Sequence, residues 1–373
     1  MNKKNILIID DSALMRRVLS DIINSDERFI VCDVASNGLE AYDKITLNPK
    51  KYDVILLDIN MPKMNGIEFM EEINRLKLKL TVIVVSTIAV EGAAETIRLL
   101  ELGAFDFVTK PNSFSEAKEN TFQENVLARL ACAAGFDRME FRSRKKQEIP
   151  QIPKPKGNDT TPVISGKETV TRKTHKAVGS NARKLVALAC STGGPKALQQ
   201  VVPYLPKNMD APMVIVQHMP VGFTETLAAR LNELSGLNVK EAADGDVLQT
   251  GMVYIAKGGS QLRVVKKGSE HVLAVTDEPA RNALRPCADI MYESLLESDY
   301  DDITCVVLTG MGRDGTVGIK QLNDKRNIYV IGQEASTCTV YGMPRSLCEA
   351  GLADEMVPLS EVAGAIIKNV GVR

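Results

Sequence analysis

Short apolar runs alternate with amphipathic helical patterns along two long stretches of this chain, and that alternation limits the fold more than any other feature. In residues 1–125 the apolar runs lie at positions 6–9, 30–34, 54–57, 82–85 and 105–108. Alternating strands and helices favour a parallel sheet with helices on both faces. Residues 183–373 resume the alternation in longer units, with strands expected near 185–190, 213–218, 253–256, 262–265, 272–275, 303–308 and 328–331.

The predicted fold class is therefore α/β, with two doubly wound, parallel-sheet domains joined by a flexible linker. Short strands separated by GG and KKGSE within 251–275 add a β-hairpin to the second domain. We place the first domain at 1–125, a helix end and the linker at 126–182, and the second domain at 183–373.

The segment 137–182 interrupts the alternation with proline, threonine and basic residues and with few large apolar ones. That composition is typical of an extended linker that forms no core. A basic segment could also bind nucleic acid or a membrane surface, but this one has no interleaved aromatic residues and no amphipathic period. We favour the linker, and we expect His175 within it to be solvated.

The overall composition excludes several classes of protein. A formal net charge of −1 over 373 residues provides no field for binding nucleic acid. No run of about 18 apolar residues exists, so we expect no membrane insertion. The N-terminus turns acidic directly after its first apolar run, too early for a signal peptide. The seven cysteines show no CxxC spacing, which favours neither a disulfide framework nor zinc, and we expect a cytoplasmic protein.

Polar residues follow four of the predicted strands in the first domain. Asp10 and Asp11 follow the first strand, Asp58 the third, Ser86 the fourth and Lys110 the fifth. Because parallel strands end at one edge of a sheet, these residues should converge. Three carboxylates favour Mg²⁺, and a lysine and a hydroxyl could hold a phosphoryl group on Asp58. The alternative is that the acids merely cap helices.

Residues 1–125 resemble a response-regulator receiver domain, whose fold is flavodoxin-like. The resemblance implies phosphorylation of Asp58 by a histidine kinase, with Mg²⁺ as the cofactor of that reaction. It assigns the metal to Asp11, Asp58 and the carbonyl of Asn60, with Asp10 binding through water. The conformational switch of the family, a hydroxyl and an aromatic ring beside a lysine, corresponds to Ser86, Phe107 and Lys110.

A hydroxyl, an imidazole and a carboxylate follow three apolar strands of the second domain. Ser191 ends the strand in LVALACSTGGP, His218 ends PMVIVQHM, and Asp314 lies in the turn after ITCVVLTGMG. These are the groups that a serine hydrolase needs, and the STGG turn offers backbone N–H groups for an oxyanion. The order Ser, His, Asp and the absence of G-x-S-x-G exclude a standard α/β hydrolase.

Each of these residues also has a structural interpretation. Ser191 could be a helix N-cap, the paired glycines could bind phosphate, His218 could be a core residue, and Asp314 could serve only the turn. Cys190 is a rival nucleophile, although strand alternation points it away from its neighbour. His271, expected in a hairpin turn, is the weaker candidate for the base.

Residues 183–373 resemble the catalytic domain of chemotaxis protein-glutamate methylesterases. The segments that carry the resemblance are ACSTGGP (189–195), VQHMPVGFTETLAARL (216–231), GMVYIAKGG (251–259), VLTGMGRDG (307–315) and VYGMPR (340–345). The resemblance implies a triad of Ser191, His218 and Asp314, assisted by Thr192 and by the Met311 backbone as an oxyanion donor. It also implies hydrolysis of γ-glutamyl methyl esters on chemoreceptors, deamidation of receptor glutamines, and no cofactor for the hydrolase.

Three positions depart from the pattern of that family. Ala189-Cys190 replaces the commoner Gly-Ala before the serine, Lys257 stands where proline is usual, and Leu284 stands where histidine is common. None of them removes a member of the implied triad. We expect these departures to affect substrate preference and local turn geometry, and not the class of reaction.

A receiver joined to a hydrolase implies an enzyme that phosphorylation activates. In the family, the unphosphorylated receiver packs over the active-site face, and phosphorylation at Asp58 opens it. The implied partners are a chemotaxis histidine kinase as phosphodonor and methyl-accepting chemoreceptors as substrates. Two alternatives stay open, a non-catalytic phospho-switched binding module and an esterase or deamidase of other substrates.

Overall fold

The structure is a computed structural model that describes residues 3–87, 90–111, 120–136 and 182–373. The predicted linker up to residue 181, and His175 within it, lie outside the described residues. Among the residues that are described, no helix combines the length and the apolar character needed to cross a membrane.

The N-terminal domain is built on a five-stranded parallel sheet with the strand order β2-β1-β3-β4-β5. The central strand β3 is buried along its whole length, as expected for a parallel strand covered on both faces. The five strands are β1 (Lys4–Ile9), β2 (Phe29–Ala35), β3 (Val54–Asp58), β4 (Val82–Ser86) and β5 (Asp106–Thr109).

Five helices cover this sheet in the described part of the domain. They are α1 (Ala13–Asn24), α2 (Gly38–Leu47), α3 (Gly66–Arg75), α4 (Val90–Glu101) and α5 (Asn120–Ala133). The start of α3 shows how the sequence sets a helix boundary. The Asn65 side chain accepts the Glu68 N–H, and the Glu68 carboxylate accepts the Asn65 N–H, so a capping box satisfies two backbone donors.

The C-terminal domain is built on a seven-stranded parallel sheet with the order β14-β13-β12-β6-β7-β9-β8. A separate antiparallel hairpin, β10–β11, is the hairpin that the sequence predicts. The strands are β6 (Lys184–Cys190), β7 (Met213–Gln217), β8 (Asn238–Glu241), β9 (Met252–Ile255), β10 (Gln261–Lys267), β11 (Glu270–Thr276), β12 (Asp302–Val307), β13 (Ile328–Gln333) and β14 (Glu355–Val357).

The described helices of this domain lie between strands along the chain, and one follows the last strand. They are α6 (Gly194–Val201), α7 (Phe223–Leu234), α8 (Ala288–Ser294), α9 (Thr316–Lys325), α10 (Met343–Glu349) and α11 (Val362–Val370). The predicted α/β class with two parallel sheets is confirmed. The sequence analysis did not find the two edge strands, β8 and β14, because both are short and their side chains are mostly polar or half-buried.

Candidate active site and phosphoacceptor pocket

The parallel pairing of β6 with β7 sets the positions of the candidate nucleophile and base. Cys190, the last residue of β6, is the register partner of Gln217, the last residue of β7. Ser191 and His218 are the next residues of the two chains, and paired strands lie roughly 4.8 Å apart. The backbone keeps them in step, because the His218 N–H donates to the Cys190 carbonyl at 3.2 Å.

The third candidate, Asp314, reaches His218 from the loop between β12 and α9. Its Oδ2 lies 2.8 Å from His218 Nε2. Both side chains are nearly buried, at 10% and 4% exposure, so solvent screens their interaction weakly. With Nε2 bonded to the carboxylate, Nδ1 is the nitrogen that remains to accept a proton from Ser191.

Asp314 is held as an anion by donors from the start of α8. The backbone N–H groups of Ala288 and Asp289 lie 2.6 and 3.0 Å from its carboxylate oxygens, and the Cys287 thiol donates at 3.1 Å. Burial alone would raise the pKa of Asp314, but the hydrogen bond and charge of His218 and these N–H groups outweigh burial and lower it. The carboxylate therefore stays charged next to the imidazole.

The turn after Ser191 contains the glycines on which the predicted oxyanion site depends. Gly193 has a φ of +78°, a conformation that glycine adopts without strain, and it leads into the N-terminus of α6. Gly310 lies against the nucleophile, since a Cβ atom there would come within 2.9 Å of Ser191 Cβ. Met311, the predicted oxyanion donor, is the next residue along that loop.

The structure brings the three triad candidates to one sheet edge but joins only two of them directly. Within the described residues, no hydrogen bond links Ser191 Oγ to the His218 side chain. Hydrogen bonds of catalytic groups are often long before substrate binds, so the triad assignment stays a prediction supported by the strand register and by the His218–Asp314 contact.

The two rival residues have surroundings that do not suit catalysis. Cys190 is fully buried, and burial raises the pKa of its thiol well above the usual range, which suppresses the reactive thiolate. His271 is buried on β11, where its ring stacks on Tyr300 with centroids 4.2 Å apart and Nε2 lies 2.9 Å from Asp299 Oδ1. These contacts give His271 a place in the packing of the hairpin.

The acidic residues of the first domain converge as predicted. The carboxylate oxygens of Asp10, Asp11 and Asp58 lie within 4.8 Å of one another, and Lys110 Nζ lies 2.7 Å from Asp58 Oδ1 and 2.9 Å from Asp10 Oδ2. Burial raises the pKa of Asp58 to about 6, although Lys110 opposes this. An all-carboxylate cluster of this kind fits a hard divalent cation, and a receiver domain implies Mg²⁺ there.

The hydroxyl of Ser86, one of the predicted switch residues, is bonded to residues of α4 in this structure. The Ser86 hydroxyl donates to the Gly92 carbonyl at 3.2 Å and accepts from the Thr96 hydroxyl at 2.7 Å. Thr96 is a residue that the sequence analysis missed. Asn60, whose carbonyl is a predicted metal ligand, donates through its side chain to Glu95 at 3.4 Å. Both Ser86 and Asn60 therefore have side-chain contacts with α4.

The first domain packs directly on the candidate active site of the second. The Phe107 ring stacks on Phe223 of α7, with centroids 4.8 Å apart and an interplanar angle of 19°. Asp106 Oδ2 accepts a hydrogen bond from the hydroxyl of Thr192 at 2.7 Å, one residue from the candidate nucleophile. Further out, Arg230 Nε pairs with Glu101 Oε1 at 2.7 Å.

Two doubly wound domains, one with a phosphoacceptor pocket and one with a hydrolase-type cluster at its sheet edge, define a receiver-regulated hydrolytic protein. Residues 6–121 match the response regulator receiver domain, and residues 186–366 match the CheB methylesterase. The chain belongs to the CheB methylesterase family.

Relatives match the chain from end to end. The protein-glutamate methylesterase/protein-glutamine glutaminase of Bacillus subtilis (strain 168) is 39% identical over 97% of this chain and 97% of its own length. The corresponding protein 1 of Syntrophomonas wolfei is 38% identical over 98% and 99%. The crystal structure of the Thermotoga maritima CheB methylesterase catalytic domain is 39% identical, covers 50% of this chain and 98% of its own, and superposes with a TM-score of 0.49.

The first prediction concerns the nucleophile. Ser191→Ala should reduce ester hydrolysis by roughly 10³-fold or more, because triad members act as a unit. Cys190→Ala, one residue away, is the matched control and should keep most of the activity, since the thiol is buried. Methanol release measures both. An active serine variant together with an inactive cysteine variant would reverse the assignment.

The second prediction concerns the base. His218→Gln should reduce kcat/KM by a similar factor. His271→Gln should keep the wild-type kcat/KM per folded molecule. For the wild type, kcat/KM should fall on acidification, because a protonated imidazole cannot accept the Ser191 proton. Steady-state kinetics between pH 5 and 8 test this, and a flat profile would remove a histidine from the base role.

Proposed function

We propose that this protein hydrolyses γ-glutamyl methyl esters of chemoreceptors and deamidates receptor glutamines, and that phosphorylation of its receiver domain activates it. The observation that carries the proposal is the His218–Asp314 pair beside Ser191 at the sheet edge on which the receiver packs. Full-length relatives named protein-glutamate methylesterase/protein-glutamine glutaminase support the substrate class.

In the proposed reaction, Ser191 Oγ attacks the ester carbonyl carbon while His218 Nδ1 takes the hydroxyl proton. Asp314 stabilises the imidazolium through Nε2. The oxyanion that forms accepts hydrogen bonds from backbone N–H groups of the turn after Ser191 and from that of Met311, with Thr192 as a supporting residue.

Collapse of this tetrahedral intermediate breaks the carbonyl carbon–methoxy bond, and methanol leaves with the proton from His218. Water, deprotonated by His218, then attacks the acyl-enzyme and releases the glutamate side chain and Ser191. With a glutamine substrate the leaving group is ammonia and the remaining steps are the same. These steps use only groups of the protein, and we propose that the hydrolase reaction needs no cofactor.

For the receiver we propose a phosphoryl group on Asp58, supplied by a chemotaxis histidine kinase. Asp11, Asp58 and the Asn60 carbonyl would hold Mg²⁺, with Asp10 acting through water, and the ion would offset the charge of the carboxylates during phosphoryl transfer. Lys110 would bind the phosphoryl oxygens, and the Ser86 hydroxyl would turn to them from its present contact with Thr96.

We propose that the receiver inhibits by covering the active site. Support comes from the Asp106–Thr192 hydrogen bond, which lies one residue from the candidate nucleophile, and from the stacking of the candidate switch residue Phe107 on Phe223. A phosphoryl group that shifts this docking equilibrium by a few kcal/mol is sufficient to expose the site.

The remaining features of the proposal concern organisation and setting. We propose a receiver at 1–125, a helix end and linker at 126–182, and a catalytic domain at 183–373. A cytoplasmic location is supported by the seven cysteines, all of which are free thiols. The alternative of a non-catalytic binding module is disfavoured by the buried, fully bonded Asp314, which a binding module has no need to maintain.

The experiment that tests the proposal follows methanol release from membranes carrying methylated chemoreceptor, with and without acetyl phosphate and Mg²⁺. We expect release in both conditions and faster release with the phosphodonor. Ammonia release from an unmodified receptor tests the deamidase activity. No release of either product would leave only the binding-module alternative or another substrate.

The third prediction concerns the phosphoacceptor. Asp58→Asn should abolish the response to acetyl phosphate, because an amide does not form the acyl phosphate. Asp53→Asn is the matched control, since Asp53 is an acid outside the pocket that pairs with Lys4, and it should keep the response. The measurement is the ratio of methanol release rates with and without phosphodonor. A preserved ratio in the Asp58 variant would place phosphorylation elsewhere.

The fourth prediction uses the interdomain ion pair, which is remote from both reactive centres. Arg230→Glu should place two carboxylates together, weaken receiver docking and raise the unphosphorylated rate about three- to tenfold, in line with roughly 1 kcal/mol for a partly exposed pair. Glu101→Arg should act in the same direction. The double variant with both exchanges should regain part of the inhibition. If all three variants release methanol at the wild-type rate, this ion pair does not limit access to the active site.

A further inference from the structure

Gln217, the last residue of β7, connects the backbones of the candidate nucleophile and base. Its Nε2 donates to the carbonyl of Ser191 at 3.1 Å and to the carbonyl of His218 at 3.1 Å. Its Oε1 accepts from the Cys190 thiol at 3.0 Å. Both N–H groups and the carbonyl of the amide are therefore used, and this sets the orientation of the side chain.

The surroundings leave space for this amide and for little else. A Cβ atom on Gly194 would collide with Gln217 Oε1, so the turn that leads into α6 accommodates the side chain only because residue 194 is glycine. The Ser191 carbonyl accepts a second hydrogen bond, from the Gly194 N–H at 2.7 Å. Gln217 is 2% exposed, and a side chain so buried has no route to substrate.

We propose that Gln217 is a positioning residue that sets the separation of Ser191 and His218 by holding both of their carbonyls on one amide. The inference rests on the proposed function, because it concerns the geometry of that reaction. A nucleophile and its base must lie within hydrogen-bonding reach, and a displacement of about 1 Å costs on the order of 10²-fold in rate. Two carbonyls bonded to the same nitrogen cannot drift apart independently.

Two substitutions of similar size test this role in the full chain activated with acetyl phosphate and Mg²⁺. Gln217→Met removes both donors, and we expect kcat for methanol release to fall on the order of 10²-fold with KM nearly unchanged. Gln217→Glu keeps an acceptor for Cys190 but turns a carboxylate towards two carbonyl oxygens. Because a protonated carboxyl regains one O–H donor, the rate of Gln217→Glu relative to wild type should rise on acidification.

Two control variants separate positioning from ordinary stabilisation. Tyr292→Phe removes a buried hydroxyl that contacts the carbonyls of Ala187 and Val306 at 3.2 and 3.0 Å. These are again two buried carbonyls of neighbouring strands, β6 and β12, but neither belongs to Ser191 or His218. The substitution should lower the melting temperature and leave kcat within about threefold of wild type. Cys190→Ala removes the donor to Oε1 alone and should behave in the same way.

A second readout does not depend on the natural substrate. Ser191 should react with phenylmethylsulfonyl fluoride, in which Oγ displaces fluoride from sulfur and His218 takes the proton, and Gln217→Met should slow this labelling in parallel with kcat. If the wild-type protein is labelled but releases no methanol, the proposed function is refuted and the positioning inference still stands.

The positioning role is overturned by a Gln217→Met variant with labelling and kcat within threefold of wild type, or by one that raises KM alone. Unfolding of both Gln217 variants under conditions in which Tyr292→Phe stays folded would also overturn it. The amide would then stabilise the sheet as a whole rather than the two strand ends.

Discussion

The parallel hydrogen bonding of β6 with its two neighbours, β7 and β12, is the interaction on which the candidate active site depends. Parallel strands all end at one edge, so Ser191 and His218, which directly follow their strands, meet there with Asp314 from the loop after β12. The register decides how well they meet. Cys190 pairs with Gln217, and Val307 with Ala189, so Ser191 and His218 follow directly and the loop carrying Asp314 begins nearby.

The same rule places the candidate phosphoacceptor pocket at the edge of the first sheet. The two edges differ in whether the surroundings favour the charged or the neutral form of the carboxyl group. In the first domain, burial raises the pKa of Asp58 to about 6, with Lys110 opposing the rise and Asp10 adding to it. In the second, helix N–H groups and His218 hold Asp314 as an anion. The surroundings of Asp58 therefore disfavour its charged form, whereas those of Asp314 stabilise the charged form.

Much of this architecture could be predicted from sequence, because buried parallel strands are uninterrupted apolar runs and the reactive residues follow them directly. The candidates Ser191, His218 and Asp314 and the convergence of the acidic residues were predicted in this way. Residues whose role depends on neighbours far along the chain were missed. Thr96 contacts Ser86 from α4, and Cys287 reaches Asp314 from the start of α8; neither has a local sequence signal.

Strand β5 has a consequence for how receivers and effectors combine. Asp106 and Phe107 are adjacent in that strand, and both contact the catalytic domain, at Thr192 and at Phe223. The strand that carries the predicted switch residue Phe107 is thus also part of the surface that contacts the catalytic domain. A receiver with other residues at these two positions would lack both contacts, so the pairing of the two domains depends on particular side chains as well as on the two folds.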